Sequence, residues 1–340
     1  MNSTLESGDR APPFTLTDRN GAGIRLYSEA TGNPIVLIFM IGTPETVFEA
    51  KIGELANARI LAITDQGTEA TLPATLDCPV LLDESGETAR KYGVANGTTV
   101  ILLDANLRVV ETFAPGSDQV GARLSRHLDA LKFPETTLAH RQAPVLLIPR
   151  ILDPETCRML IDHLETDGGE EGNTVRVVDG EVIRAPNFEA KRRRDLSVTD
   201  PHMIARLQDL MSRRVLQELY RAFQVKMGYV EEFKLGCYEA ENSGFFRAHR
   251  DNTTPATRHR QFAMTLNLNA EDYEGGELRF PEFGDSLYKP ATGEAIVFSC
   301  TLMHEVMPML RGRRYTLLSF FHDDAGEEIR SAYMRGQGAR

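Results

Sequence analysis

The sequence predicts an α/β domain followed by a β-rich domain of the jelly-roll type, and three observations lead to this fold class. Continuous apolar runs alternate with helical stretches over residues 34–131, which is typical of a sheet covered on both faces. Beyond residue 144, apolar residues fall into short strand-like runs separated by turn residues, as in a barrel of antiparallel strands. With 340 residues, 41% of them hydrophobic, the chain can bury two cores.

Domain boundaries are expected where this periodicity lapses. Residues 132–143 show no regular period and predict a linker. The predicted organisation is an N-terminal domain at 1–132, a linker at 133–143, a second domain at 144–324 and a C-terminal tail at 325–340.

Charge and composition exclude several classes of protein. The formal net charge of −11 disfavours a general binder of nucleic acid or anionic membrane. The polar residues 1–7 do not form a signal peptide, and no apolar run approaches the about 20 residues needed to span a bilayer. The four cysteines show no paired spacing and predict no disulfide framework: Cys78, Cys157, Cys237 and Cys300. We therefore expect a cytoplasmic protein.

In the N-terminal domain, apolar runs predict strands and helical spacing predicts helices. The strands are predicted at 34–41, 58–64, 99–104 and 108–113. The helices are predicted at 45–56, 87–92 and 118–131.

In the second domain, two Asp-Pro pairs predict helix starts, because Asp is a good N-cap and Pro suits the first helical position. The pairs are Asp153-Pro154 and Asp200-Pro201, and the second is expected to begin one helix running through Phe223. Strands are predicted at 144–149, 261–269, 273–280, 294–300 and 311–321, which together suit a double-stranded β-helix with a site at its mouth. The irregular loop at 252–260 is predicted to cover substrate, with His259 as a loop or substrate-contact residue rather than a fourth metal ligand.

Three side chains in the second domain predict a metal site. Residues i and i+2 of a strand share a face, so His249 and Asp251 can reach one ion together. His304 would add a second imidazole from a distant strand. Two histidines and one carboxylate with open positions are typical of non-haem Fe(II) oxygenases. Zinc is disfavoured because no Cys-x-x-Cys spacing accompanies the site.

An arginine ten residues beyond His304 predicts a carboxylate clamp. Arg314 begins a β-rich run, and its guanidinium suits the distal carboxylate of 2-oxoglutarate. Strand alternation places Thr316 on the same face, where its hydroxyl would add a contact. Arg311 and Arg313 are alternatives for the clamp, although strand phase favours Arg314. The run at 191–194 is expected to be a solvated or locally paired strand end that could also receive an acidic substrate group.

Together these residues resemble the Fe(II)- and 2-oxoglutarate-dependent dioxygenases of the prolyl 4-hydroxylase type. The resemblance covers roughly residues 145–324. It is carried by Tyr238, His249-x-Asp251, the segments 273–280 and 293–298, His304 and Arg314. It implies that His249, Asp251 and His304 bind iron, that Arg314 binds 2-oxoglutarate, and that Tyr238 hydrogen-bonds this cosubstrate. An ordinary strand aromatic is the alternative for Tyr238.

The resemblance implies hydroxylation of a small molecule, amino acid or peptide, with 2-oxoglutarate converted to succinate and ascorbate available as a reductant. Desaturation and cyclisation remain alternatives, whereas the carboxylate of Asp251 disfavours halogenation. A non-enzymatic module with a degenerate barrel is the alternative from another class. It is disfavoured by the intact set of ligands.

The N-terminal domain resembles the peroxiredoxin branch of the thioredoxin fold, through residues 8–16, 92–94 and 103–109. Active members carry a cysteine at the junction that here spans 42–50, where this sequence has none, and Cys78 lies in another segment. Peroxide chemistry needs a thiolate, so a redoxin-type peroxidase is disfavoured. We expect a folded domain without peroxidase activity that serves packing, partner docking or a homodimer contact.

Overall fold

The computed structural model describes residues 5–29, 32–42, 58–69, 78–131, 141–178 and 181–338. The chain divides into two compact units, 1–137 and 138–340. The predicted helix at 45–56 and most of the cysteine-free junction lie outside the described residues, as do 132–140. The domain boundaries given above therefore stay predictions.

The first unit is built on one seven-stranded sheet. Its strands are β1 (Thr15–Asp18), β2 (Gly23–Arg25), β3 (Ile35–Ile41), β4 (Arg59–Thr64), β5 (Val80–Leu82), β6 (Gly97–Leu103) and β7 (Val109–Phe113). Their order across the sheet is β2-β1-β5-β4-β3-β6-β7. The helices described here are α1 (Leu26–Glu29), α2 (Gln66–Glu69), α3 (Glu87–Lys91) and α4 (Val120–Ala130).

The central strand β3 explains why this unit folds as a covered sheet. Leu37 and Phe39 enter one hydrophobic core, and Val36 and Ile38 enter the other on the opposite face. β3 runs parallel to β4 and antiparallel to β6. This mixed sheet confirms the thioredoxin-like prediction, and the four predicted strands agree with β3, β4, β6 and β7 to within two residues.

The second unit contains seventeen strands in the described residues. They are β8 (Leu146–Ile148), β9 (Glu170–Glu171), β10 (Asn173–Val178), β11 (Glu181–Pro186), β12 (Lys191–Arg192), β13 (Arg194–Ser197), β14 (Tyr229–Val230), β15 (Lys234–Glu239), β16 (Phe245–His249), β17 (Phe262–Asn267), β18 (Glu274–Gly275), β19 (Leu278–Arg279), β20 (Leu287–Tyr288), β21 (Ala295–Ser299), β22 (His304–Val306), β23 (Met309–Arg311) and β24 (Arg313–His322). The helices are α5 (Pro154–Asp167), α6 (Pro201–Met211), α7 (Gln217–Phe223) and α8 (Asp324–Gly338).

Two sheets make the predicted double-stranded β-helix. The larger has the order β8-β21-β17-β24-β15-β13-β9, with β14 added beside β24, and the smaller has the order β12-β16-β22-β19-β20. One face of the larger sheet packs under helices α5 to α7 through side chains such as Leu207, Val215 and Leu317. A second core, including Phe280, lies between the sheets.

Three local predictions are corrected. The helix expected from 201 through 223 is interrupted by a π-helical turn, Ser212–Leu216, between α6 and α7. The expected strand at 273–280 is split into β18 and β19, because Gly275 and Gly276 adopt φ of 76° and 68°, which favours glycine. The segment named as a tail is largely helical, as α8.

Candidate metal and cosubstrate site

The two predicted histidines meet where two strands of the smaller sheet end. His249 closes β16, His304 opens β22, and the two residues are paired across the ladder. Asp251 lies beyond the strand in a turn, where its backbone N–H donates to the Cys300 carbonyl at 3.0 Å. Because Asp251 lies outside β16, strand alternation does not explain why it lies close to His249, and that reason was wrong. The turn still brings the three donor atoms within 4.8 Å of one another.

The histidine rings are oriented so that Nε2 faces the carboxylate. Nε2 of His249 lies 3.5 Å from one oxygen of Asp251, and Nε2 of His304 lies 3.5 Å from the other. On the opposite side, Nδ1 of each ring lies against a backbone carbonyl, that of Arg247 at 2.7 Å and that of Leu302 at 3.0 Å. Such contacts place the ring proton on Nδ1 and leave the Nε2 lone pair available to a metal.

Electrostatics hold Asp251 and His304 in the protonation states that a metal needs. Burial acts to raise the pKa of Asp251, but His304 and His249 outweigh it and hold this pKa at about 2. Burial lowers the pKa of His304 despite the neighbouring carboxylate. The donor set is thus one anionic oxygen and neutral imidazole nitrogen, which suits a divalent transition metal.

Arg314 is buried within the barrel, with 2% of its surface exposed. Its Nε donates to Oδ1 of Asn267 at 3.1 Å, Nη1 donates to the Gly276 carbonyl at 2.7 Å, and Nη2 approaches the Thr265 hydroxyl at 3.4 Å. All of these partners are neutral, and the described residues give this guanidinium no carboxylate. A buried cation with unused donor capacity fits the carboxylate of an anionic ligand.

The two alternative arginines point elsewhere. Arg311 pairs with Glu274 at 2.7 Å on the surface, and Arg313 pairs with Glu165 at 3.1 Å. Neither lines the cavity around the predicted metal ligands. The structure thus places Arg314, and neither neighbour, with the histidines.

Tyr238 and Thr316 have different surroundings. The Tyr238 hydroxyl accepts from Nη1 of Arg193 at 3.1 Å, and the Arg314 guanidinium carbon lies 5.5 Å from the centre of its ring. Tyr238 lines the cavity. The Thr316 hydroxyl instead approaches the Gly236 carbonyl at 3.4 Å, so the structure does not bring Thr316 to the cavity with the other predicted residues.

The run at 191–194, predicted as a solvated or locally paired strand end, contributes charged groups to the same cavity. Lys191 is buried with its Nζ 2.8 Å from Oδ2 of Asp195, which also accepts from Arg193 at 3.1 Å. Burial lowers the pKa of Lys191 to about 7. Burial acts to raise the pKa of Asp195, but Arg193 outweighs it and holds this pKa at about 2. The period-two spacing of Lys191, Arg193 and Asp195 could have predicted that these side chains share one face.

All these groups surround one cavity of about 450 Å³. Its lining includes charged, aromatic and metal-type side chains from both sheets. They include Lys191, Arg193, Asp195, Tyr238, Phe246, His249, Asp251, Arg260, Thr265, Phe298, His304 and Arg314. His259 is hydrogen-bonded to Glu231 at 2.8 Å and is not part of this lining. A small anion, a metal ion and part of a substrate can therefore share one cavity.

Comparison with known proteins agrees with this geometry. Residues 233–322, which hold every predicted ligand, match the 2OG-Fe(II) oxygenase superfamily. This segment is a 2OG-Fe(II) oxygenase domain. A PKHD-type hydroxylase of Synechococcus sp. (strain JA-2-3B'a(2-13)) is 34% identical over 97 residues, which is 27% of this chain and 42% of that protein. A PKHD-type hydroxylase of Pseudomonas fluorescens (strain Pf0-1) is 26% identical over 52% of this chain and 76% of its own length.

Solved structures resemble each unit at modest scores. A prolyl-4-hydroxylase from Pseudomonas putida is 18% identical over 54% of this chain and 94% of its own, with a TM-score of 0.39. A Chlorobium tepidum chain described as a thiol:disulfide interchange protein of the DsbE type is 28% identical over 38% of this chain and all of its own, with a TM-score of 0.32. Within the described ranges, no helix is long and apolar enough to cross a membrane.

Proposed function

We propose that the chain is an Fe(II)- and 2-oxoglutarate-dependent hydroxylase. His249, Asp251 and His304 hold the iron, and Arg314 holds the distal carboxylate of 2-oxoglutarate. The observation that carries this proposal is a three-donor cluster sharing a cavity with a buried guanidinium that has no carboxylate partner among the described residues. With O2, the bound iron and 2-oxoglutarate supply the oxidising power for C–H hydroxylation, and the cosubstrate leaves as succinate and CO2.

The role of the protein side chains is to bind, orient and desolvate. Carbonyl contacts at Nδ1 of His249 and His304 fix both rings with Nε2 toward Asp251. Phe246 stacks on the ring of His249 at 3.6 Å between centres, and Phe298 lies 4.6 Å from that of His304. These aromatic walls keep the ligand rings in place and exclude water from one side of the site.

A second group of side chains receives the cosubstrate. Because Asn267 and Gly276 hold Arg314 in one orientation, little side-chain entropy is lost when a carboxylate binds. The Tyr238 hydroxyl accepts its hydrogen bond from Arg193, so its own proton is directed to a different partner. That proton can be donated to a ligand oxygen in the cavity.

The identity of the substrate is proposed only as a class. The matched relatives carry the description PKHD-type hydroxylase, but the Synechococcus match spans 42% of that protein. We propose a small molecule, an amino acid or a peptide, with ascorbate as the reductant. The buried thiols of Cys157, Cys237 and Cys300, which form no disulfide, support a cytoplasmic location. The N-terminal unit, which keeps a redoxin-like sheet, is proposed as a homodimer or partner contact.

The test is succinate formation that depends on Fe(II) and 2-oxoglutarate, screened with peptides and free amino acids for stimulated CO2 release. His249→Ala and His304→Ala should reduce succinate to background, because each removes one ligand of the ion. His202→Ala, an exposed histidine of α6, is the matched control and should retain the wild-type rate. Wild-type succinate formation in either ligand variant would overturn the proposal.

A further inference from the structure

A second group of metal-type donors lies outside the proposed iron site. Glu231, His259 and His322 bring one carboxylate oxygen and two imidazole nitrogens within 4.8 Å of one another. Glu231 follows β14, His322 ends β24, and β14 pairs with that end of β24. His259 comes from the loop after Asp251. Three segments that are distant in sequence therefore converge at this point.

The hydrogen bonds of this cluster leave one donor atom unused. Nε2 of His259 lies 2.8 Å from Oε1 of Glu231, and Nε2 of His322 lies 2.9 Å from Oε2 of Glu327. The residue His322 is only 2% exposed, and its buried Nδ1 has no hydrogen-bond partner. Buried polar atoms are nearly always satisfied in native proteins, so an unpartnered one requires an explanation.

We propose that Oε1 of Glu231, Nε2 of His259 and Nδ1 of His322 bind a divalent transition metal of the zinc class, with water as a fourth ligand. Two imidazoles and a carboxylate are a common donor set for such an ion. The contact of Glu327 with the opposite nitrogen of His322 is the carboxylate–histidine arrangement that fixes a ligand ring and raises its basicity. It directs the free lone pair of His322 into the cluster.

The charges around the cluster set how strongly it binds. Arg260 donates to Glu231 at 2.8 Å and 2.9 Å, and this nearby cation opposes a second one. Glu327 supplies a compensating negative charge. Because Arg260 pairs directly with Glu231, this second site should bind metal more weakly than the proposed iron site. Among the described residues, no guanidinium forms an ion pair with Asp251 there.

An ion at this place would connect the loop after Asp251 to the edge of the barrel. Arg260, next to His259, lines the cavity, so the ion would restrain one wall of the substrate space. Metal ligands at about 2.0–2.2 Å in a tetrahedral arrangement lie roughly 3.3 Å apart. His259 and Glu231 need to separate by about half an ångström from their present 2.8 Å.

The experiment is a Co(II) titration of the metal-free full chain, followed by equilibrium dialysis and visible absorption. Wild type should bind two equivalents, and the weaker one should produce the intense visible bands of four-coordinate Co(II). His322→Phe should lose that equivalent and those bands, and His249→Ala should lose the other equivalent while the bands remain. His202→Ala should keep both.

Folding is controlled within the same experiment. The equivalent retained by His322→Phe requires an intact barrel, and His259→Gln must lose the same equivalent as His322→Phe. One equivalent in the wild type, or two equivalents retained in both variants, would overturn the second site. Neither result would affect the proposed iron site, which His249→Ala reports separately.

Discussion

The two units of this chain bury their polar groups for different purposes. In the first unit, the fully buried Arg108 donates to the Gly8 carbonyl at 2.6 Å, and Asp83 accepts from the backbone N–H of Ala89 at 2.8 Å. These side chains close loops onto the sheet. In the second unit, His304 and Arg314 come from different strands and face one cavity.

The two units differ in the partners of their buried charged side chains. A buried polar group is unfavourable unless it is paired, and the carboxylate of Asp83 in the first unit accepts from the backbone N–H groups of Thr88 and Ala89. In the oxygenase domain, Arg314 has only neutral partners among the described residues, and His249 and His304 keep Nε2 turned toward Asp251. A buried cation that faces a cavity and has only neutral partners therefore marks the site better than burial alone.

The largest effect is expected from Arg314→Ala, which removes the buried cation that has only neutral partners among the described residues. Hydrogen bonds between charged groups are worth about 1.5–3 kcal/mol, so the KM for 2-oxoglutarate should rise about 10- to 150-fold. Iron affinity should change little, because a guanidinium has no lone pair to offer an ion. Steady-state kinetics at saturating iron, with a separate metal titration, measure both quantities.

Arg311→Ala is the matched control, since Arg311 lies on the same run but pairs with Glu274 at the surface. Its KM for 2-oxoglutarate should equal that of the wild type. If Arg311→Ala or Arg313→Ala raised this KM and Arg314→Ala did not, the assignment of the clamp would be wrong.

The sequence predicted the elements better than the contacts between them. Long apolar runs such as β3 and the Asp-capped start of α6 depend on local chemistry, so they could be identified from residues alone. The π-helical turn at Ser212–Leu216 has no breaker residue in the sequence to predict it. Likewise the pairing of Lys191 with Asp195 in the cavity depends on which strands become neighbours, and Thr316 shares a predicted face with Arg314 yet contacts Gly236.

A smaller effect is expected from the buried lysine of the oxygenase domain. Burial lowers the pKa of Lys191 to about 7 in the folded chain, against about 10.4 in the unfolded chain. Between these values the unfolded state binds more protons, so stability rises with pH. Between pH 7 and pH 9 the gain from this group should be on the order of 2 kcal/mol.

Lys191→Met should remove this dependence, because Met carries no titrating proton. The measurement is the free energy of unfolding of the wild type and the variant by urea at pH 7, 8 and 9. The wild-type value should rise relative to that of Lys191→Met across this range. An identical difference at all three pH values would show that Lys191 does not change its protonation in this window. Burial raises the pKa of Cys157 and Cys237 to about 12, so the unfolded chain loses these protons first, from about pH 8.5, and stability falls from there. Both proteins carry these cysteines, so the comparison with Lys191→Met removes their contribution.

The smallest effect is expected in the first unit, where Cys78→Ser should change no rate of peroxide consumption. Residues 42–50 of the sequence contain no cysteine, and peroxide chemistry requires a reactive thiolate. Cys78 instead lies just before β5, partly buried against the hydrophobic core. The full chain should be treated with chelator, because free iron itself consumes peroxide, and then assayed with a thiol reductant. The wild type and Cys78→Ser should both match the buffer. Robust turnover lost in Cys78→Ser would reveal a relocated thiol, and the first unit would then be a second catalytic centre rather than a sheet whose buried polar groups only close its loops.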